Sequence, residues 1–224
     1  MKKVRRFKFL CEGLTSNYNG FQWTLGKWHK TKCVELCHGF NCSESILDAL
    51  NYVKGEILAE VEVKGKHFTD TDKSTWPEMR IIRAWKWQKK DSVALSIFAA
   101  ELVIQNYEKV YSKDDRPRNA IEAAKAWLSD PSEKNESAAR SASRSARSAA
   151  ESAESAESAA KSAAWSAESA AKSAAWSAES AAKSAAWSAW SASKSAWSAA
   201  EPAALKKIST WLLDHLSVME EWKP

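Results

Sequence analysis

Residues 161–190 read KSAAWSAESAAKSAAWSAESAAKSAAWSAW, a unit that returns every 11 residues at Lys161, Lys172 and Lys183. Eleven residues make three turns at about 3.67 residues per turn, so each position recurs at the same angle on a nearly straight helix. Ser162, Ser166 and Ser169 then share one stripe. Ala163, Ala164, Ala167, Ala170 and Ala171 cover the next face, and Trp165, Glu168 and Lys172 the third. Alanine is the best helix former and serine costs only about 0.5 kcal/mol against it. No Gly or Pro stands between Pro131 and Pro202, and all six glycines lie at or before Gly65. The pattern predicts one long helix over 132–200, a rod of roughly 100 Å. The alternative is a set of helical hairpins, with the irregular stretch 188–196 as the bend. Either way, a conventional α/β enzyme does not fill the chain's 224 residues.

Outward from the repeat, the chain changes character. Residues 4–10 (VRRFKFL) alternate as a strand, and 57–63 (ILAEVEV) place Ile57, Ala59, Val61 and Val63 on one face. Short strands are expected at 21–23, 27–29 and 33–37, a helix at 44–52 with Ser43 as its cap, and a last strand at 79–87. Thr15 to Gly20 is a turn-rich loop. Asp91 reads as the cap of a buried amphipathic helix, Pro117 opens another, and Asp130-Pro131-Ser132-Glu133 starts the repeat helix. Pro202 opens a final helix carrying Leu205, Ile208, Leu212, Leu216 and Met219 on one stripe. The expected class is α+β: a small mixed domain over residues 1–90, then an all-α, Ala-rich domain over 91–224 that contains the long 11-residue-repeat helix or its hairpins.

Charge and cysteine narrow the chemistry. The net charge is +5, and residues 1–90 hold 17 Lys/Arg against 10 Asp/Glu. A basic excess favours an acidic partner, protein or nucleic acid. No stretch of about 20 residues is apolar enough for a membrane span. The opening MKKVRRFKFL is broken by Lys8 and does not read as a secretory signal. Cys11, Cys33, Cys37 and Cys42 are therefore expected as reduced thiols in a cytoplasmic protein. Cys33-x3-Cys37-His38-x3-Cys42 lacks the second tight pair of a structural zinc site, so free thiols are expected rather than a metal. No Gly-rich phosphate loop, GxSxG or paired helical His is present, and no cofactor is expected.

Three segments then carry a resemblance. LTSNYNGFQWTLGKW, ELCHGFNC and DALNYVKGEILAEVEVKG resemble the N-terminal domain of an uncharacterised phage and prophage family, with its GFQW turn and LCxxGFHAC segment. The resemblance covers nearly all of residues 4–90, and Asn41 stands where that family has His. DDRPRNAIEAAKAWL, the Ala-rich repeats and the closing helix resemble immunity proteins of the immunity-5-like kind over about 91–220. At the level of fold, the first domain is also similar to the ADP-ribosyltransferase core, although no acid–base set accompanies it.

These readings imply a non-enzymatic inhibitor that sequesters a protein partner, a toxin or a defence protein, and that self-associates. Trp165, Trp176, Trp187, Trp190 and Trp197 are the expected partner-binding row, because tryptophan anchors interfaces. The alternatives are a self-assembling structural helix or a nucleic-acid binder. For the last, Arg80, Arg83, Lys86, Lys89 and Lys90 form the expected basic patch, interleaved with Trp85 and Trp87.

Overall fold

A computed structural model describes residues 4–32, 38–52, 55–152, 165–168, 170 and 202–223. The chain divides into two units, Met1–Trp87 with Leu212–Pro224, and Gln88–Trp211.

In the first unit, the alternating segments become the sheet they predict. Strands β1 (Val4–Leu10), β2 (His29–Lys30), β4 (Ile57–Lys64) and β7 (Glu78–Lys86) form an antiparallel sheet in the order β1-β4-β7-β2. A second antiparallel sheet, β3-β6-β5, is built from β3 (Phe40–Cys42), β5 (Phe68–Thr69) and β6 (Ser74–Trp76). The backbones of Phe7 and Ser43 exchange two hydrogen bonds of 2.9 and 2.7 Å and tie the sheets together. Leu10, Ile57, Ala59, Val61, Val63, Met79, Ile81 and Ala84 meet Phe40, Cys42 and Trp76 of the second sheet and Leu14 and Trp23 of the first loop. One face of each sheet thus makes this cluster, as period-two alternation requires, while Phe7, Phe9, Leu58 and Trp85 are buried on the opposite face of the first sheet.

Helix α1 is short, Ile46–Ala49, and a 3-10 turn over Leu50–Tyr52 continues it. Its cap is Ser45, whose hydroxyl accepts from the Asp48 N–H at 3.0 Å. Strand β7 is interior, and its outer edge is covered in instalments. β2 takes its start, Leu25 bridges Ile81, and Glu221 bridges Trp85. The Lys86 N–H donates to the Glu220 carbonyl at 2.9 Å and the Trp222 N–H to the Ala84 carbonyl at 2.8 Å. Residues 220–222 therefore add to the sheet of residues far upstream.

The second unit is helical: α2 (Lys89–Glu101), α3 (Ile104–Val110), α4 (Arg116–Ser129) and α5 (Glu133–Ser152). Helix α6 (Pro202–His215) follows and buries Ala204, Ile208 and Leu212 at four-residue spacing. The α2 cap is Gln88. Asp91 sits two residues inside the helix and accepts from the Gln88 N–H at 2.7 Å, the reciprocal half of a capping box.

The expected long repeat helix is corrected. The described part of α5 ends at Ser152. Glu168 lies beside that helix: Ser143 Oγ donates to its carbonyl at 3.4 Å, and Arg147 Nε and Nη2 reach its carboxylate at 3.1 and 2.6 Å. On one continuous helix, residues 143 and 168 would stand roughly 37 Å apart. The absence of Gly and Pro removes common stop signals, but it does not make two faces of Ala and Ser prefer water to each other. Ala139, Ala146, Ala149, Ala167 and Ala170 are fully buried. The first part of the chain is also more β-rich than a small mixed domain with one helix implies, with two separate antiparallel sheets.

Candidate functional site

The loop from Cys11 to Lys30 is where the first unit departs most from regular structure. After β1 the chain turns through Gly13 (φ 67°) and Leu14 (φ 58°). A left-handed backbone suits glycine and strains leucine, so Leu14 is held there by its burial against the core. The following turn is tied from several sides. The Gly20 N–H donates to Ser16 O at 2.9 Å, Ser16 N–H to Phe21 O at 2.8 Å, and Phe21 N–H to Asn19 Oδ1 at 3.2 Å. Trp23 Nε1 donates to Ser16 Oγ at 2.8 Å, and Gln22 Nε2 donates to the Gly13 carbonyl. At the tip stands Tyr18, 94% exposed.

Under this loop lies an aromatic cluster. Trp23 packs on Phe40 (4.8 Å between ring centroids), Phe21 (4.9 Å) and His29 (5.2 Å). His29 Nε2 accepts from the Thr24 N–H at 3.3 Å, and burial, with Lys27 nearby, holds its pKa below the usual value. Lys8 projects from β1 onto the other side of Trp23, its Nζ 4.7 Å from the ring centre. Burial lowers the amine's pKa to about 8. Cys42 is buried in the same core as Trp23. Burial pushes its thiol up to about 11, against the opposing pull of the Ser74 hydrogen bond and of the Lys8 and Arg6 charges. A thiol so protonated is a poor nucleophile.

The expected basic patch is divided between the two units, and its strand residues are already paired. Arg80 Nε donates to Glu62 at 2.8 Å. Arg83 holds one oxygen of Glu60 at 2.9 and 3.1 Å, and Arg5 holds the other at 3.3 Å. Lys86 pairs with Glu220. Arg80 and Arg83, three residues apart, would face opposite ways on a regular strand. A bulge opposite Glu60/Val61 pairs Glu60 with Arg83 but Val61 with Ile81, which brings both guanidinium groups to the carboxylate row. In the second unit, Lys89 lies 4.3 Å from the Trp127 ring centre and 4.0 Å from Glu136, and Lys90 is exposed.

Of the expected tryptophan row, Trp165 is half-buried in a helical segment. Trp176, Trp187, Trp190 and Trp197 lie outside the described residues, as do Cys33 and Cys37. Among the described residues, no three His, Cys, Asp or Glu side chains gather as metal ligands. Nor is any helix among them long and apolar enough to cross a membrane.

The DDRPR segment is a structural clasp. Arg116 grips both oxygens of Asp114 at 2.8 and 2.6 Å while the Tyr107 hydroxyl donates to the same carboxylate at 2.6 Å. The Arg116 hydrogen bonds hold Asp114 well below the carboxylate range, and burial together with Asp114 pushes the Tyr107 phenol up. These bonds fix the turn between α3 and α4.

Residues 4–90 match DUF7666, a domain of unknown function. The DUF7666 match takes in both sheets, the Tyr18 loop, Lys8 and Cys42. No curated protein and no solved structure matches the chain.

Sequence reasoning missed Tyr18 and Lys8. The signal for Tyr18 is a tyrosine set among Ser16, Asn17, Asn19 and Gly20, the residue mixture of recognition loops. The signal for Lys8 is parity: it shares a strand face with Val4 and Leu10.

Proposed function

We propose that the chain is a non-catalytic protein-binding inhibitor of the immunity-like or phage counter-defence kind, sequestering a toxin or defence protein in the cytoplasm. Tyr18 carries this reading. A large amphipathic ring held almost wholly in solvent, on a loop already fixed by its own hydrogen bonds, loses little entropy when a partner covers it. The carboxylate pairing of Arg80, Arg83 and Lys86 favours a protein partner over nucleic acid. Phosphates would have to displace Glu62, Glu60 and Glu220, whereas nucleic-acid affinity normally rests on cations free to replace counterions.

The test is a partner captured by the full chain, purified, and titrated against the wild type and Tyr18→Ala. The substitution should weaken binding by about tenfold or more and leave the thermal midpoint unchanged. Equal affinity for both proteins would remove Tyr18 from the reading. Tight binding of RNA or DNA whose affinity falls steeply with salt would replace it with the nucleic-acid alternative.

A further inference from the structure

The register of β1 sets two cations toward the inside of the first unit. Val4, Arg6, Lys8 and Leu10 lie opposite Val63, Val61, Ala59 and Ile57 of β4, and those β4 residues all belong to the core. The charged row of Arg5, Glu60 and Arg83 occupies the other face. Enclosed charges in proteins are normally paired. Among the described residues the carboxylate nearest Arg6 is Glu44, at 3.5 Å and 79% exposed, a geometry that contributes little, and Arg6 Nη1 donates to the Arg5 carbonyl at 3.0 Å. Lys8 has no carboxylate partner among the described residues, and its ammonium rests on the Trp23 face. Two residues apart on one strand, both cations stand on the same face, over Val61 and Ala59.

We propose that Lys8 and Arg6 form a binding site for a small phosphate-type oxyanion at the inner face of β1, beside Cys42 and Trp23. A guanidinium and an ammonium on alternate residues of one strand supply two positive charges to a dianion. The arginine offers its planar fork, and the lysine a point charge backed by an aromatic ring. The Leu14 turn lies in the same core cluster as Trp23 and Cys42, and backbone strain of that kind collects beside ligand sites. Bound oxyanion gives Lys8 the counter-charge it lacks and holds the amine protonated.

Calorimetric titration of the full chain with inorganic phosphate, near neutral pH and low ionic strength, tests the site. A nucleoside monophosphate run in parallel distinguishes a free ion from a phosphate carried on a larger molecule. The expected result is saturable binding of one or both, weakened about tenfold or more by Lys8→Gln and by Arg6→Gln and unchanged by Lys27→Gln on the exposed loop. In the wild type, the Lys8 amine followed by nitrogen NMR should titrate at higher pH when phosphate saturates the protein. Absence of saturable binding, equal binding by Lys8→Gln, or a Lys8 titration that phosphate does not move would each overturn the proposal.

Discussion

At the scale of single residues, Lys8 has a thermodynamic signature of its own. Its amine titrates near pH 8 in the folded chain against 10.5 for an ordinary lysine. Between those two values the unfolded chain holds a proton that the folded chain does not, so stability rises with pH across the window. Below about pH 8 the whole penalty applies. The gap corresponds to at most about 3 kcal/mol, and less to the extent that Lys8 is half-buried rather than sealed. In phosphate-free buffer, Lys8→Met should raise the urea midpoint at about pH 7, and the gain should shrink toward pH 10.5. A gain that is the same at both pH values would show that packing, not charge, is responsible.

At the scale of elements, the close approach of two strand ends sets a limit on sequence. Gly55 precedes β4 and lies against the end of β1. A Cβ there would meet the Leu10 carbonyl oxygen and come within 2.5 Å of Cys11 Cα and 2.6 Å of Cys11 N. The obstacle is backbone, which cannot swing aside as the end of a flexible side chain could. Gly55→Ala should cost about 2–3 kcal/mol, read as a fall in denaturant midpoint with the sheet's far-ultraviolet signal retained. A change under about 0.5 kcal/mol would mean that β1 shifts freely. The same scale explains what the sequence makes legible. β1 and β4 are visible because long alternation admits one reading, and β7 because its run is rich in β-branched and aromatic residues. β3, β5 and β6 span two or three residues each, too few to show a period, and they exist through pairing with one another. The bulge in β7 is invisible for a related reason. Ile82 becomes an extra residue only relative to β4, so the shared face of Arg80 and Arg83 is a property of two strands. The long repeat helix failed because helix propensity is local, while the Arg147–Glu168 pair is set by tertiary contact.

At the scale of the whole molecule, the first unit is discontinuous in sequence: residues 1–87 need 212–223 to finish the β7 edge. A fragment of residues 1–87 should therefore be less stable than the same fragment mixed with a peptide of residues 212–223. Melting followed by tryptophan fluorescence would show the peptide raising the midpoint in a concentration-dependent way. A fragment whose midpoint ignores the peptide would reduce the 220–222 pairing to a surface contact. Replacing Trp222, which packs against the core cluster, with alanine in the peptide should abolish most of the rescue.

That discontinuity has a consequence in time. A ribosome finishes β7 before it starts the 124 residues of Gln88–Trp211, and at cellular elongation speeds these take roughly 6–25 s to make. During that interval the end of β7 around Ala84 and Lys86 is an open strand edge on a nascent chain, able to recruit a passing strand or a chaperone. Only when residues 220–222 emerge does the chain supply its own stopper, so the order of synthesis leaves that edge open until the whole helical stretch between has been made.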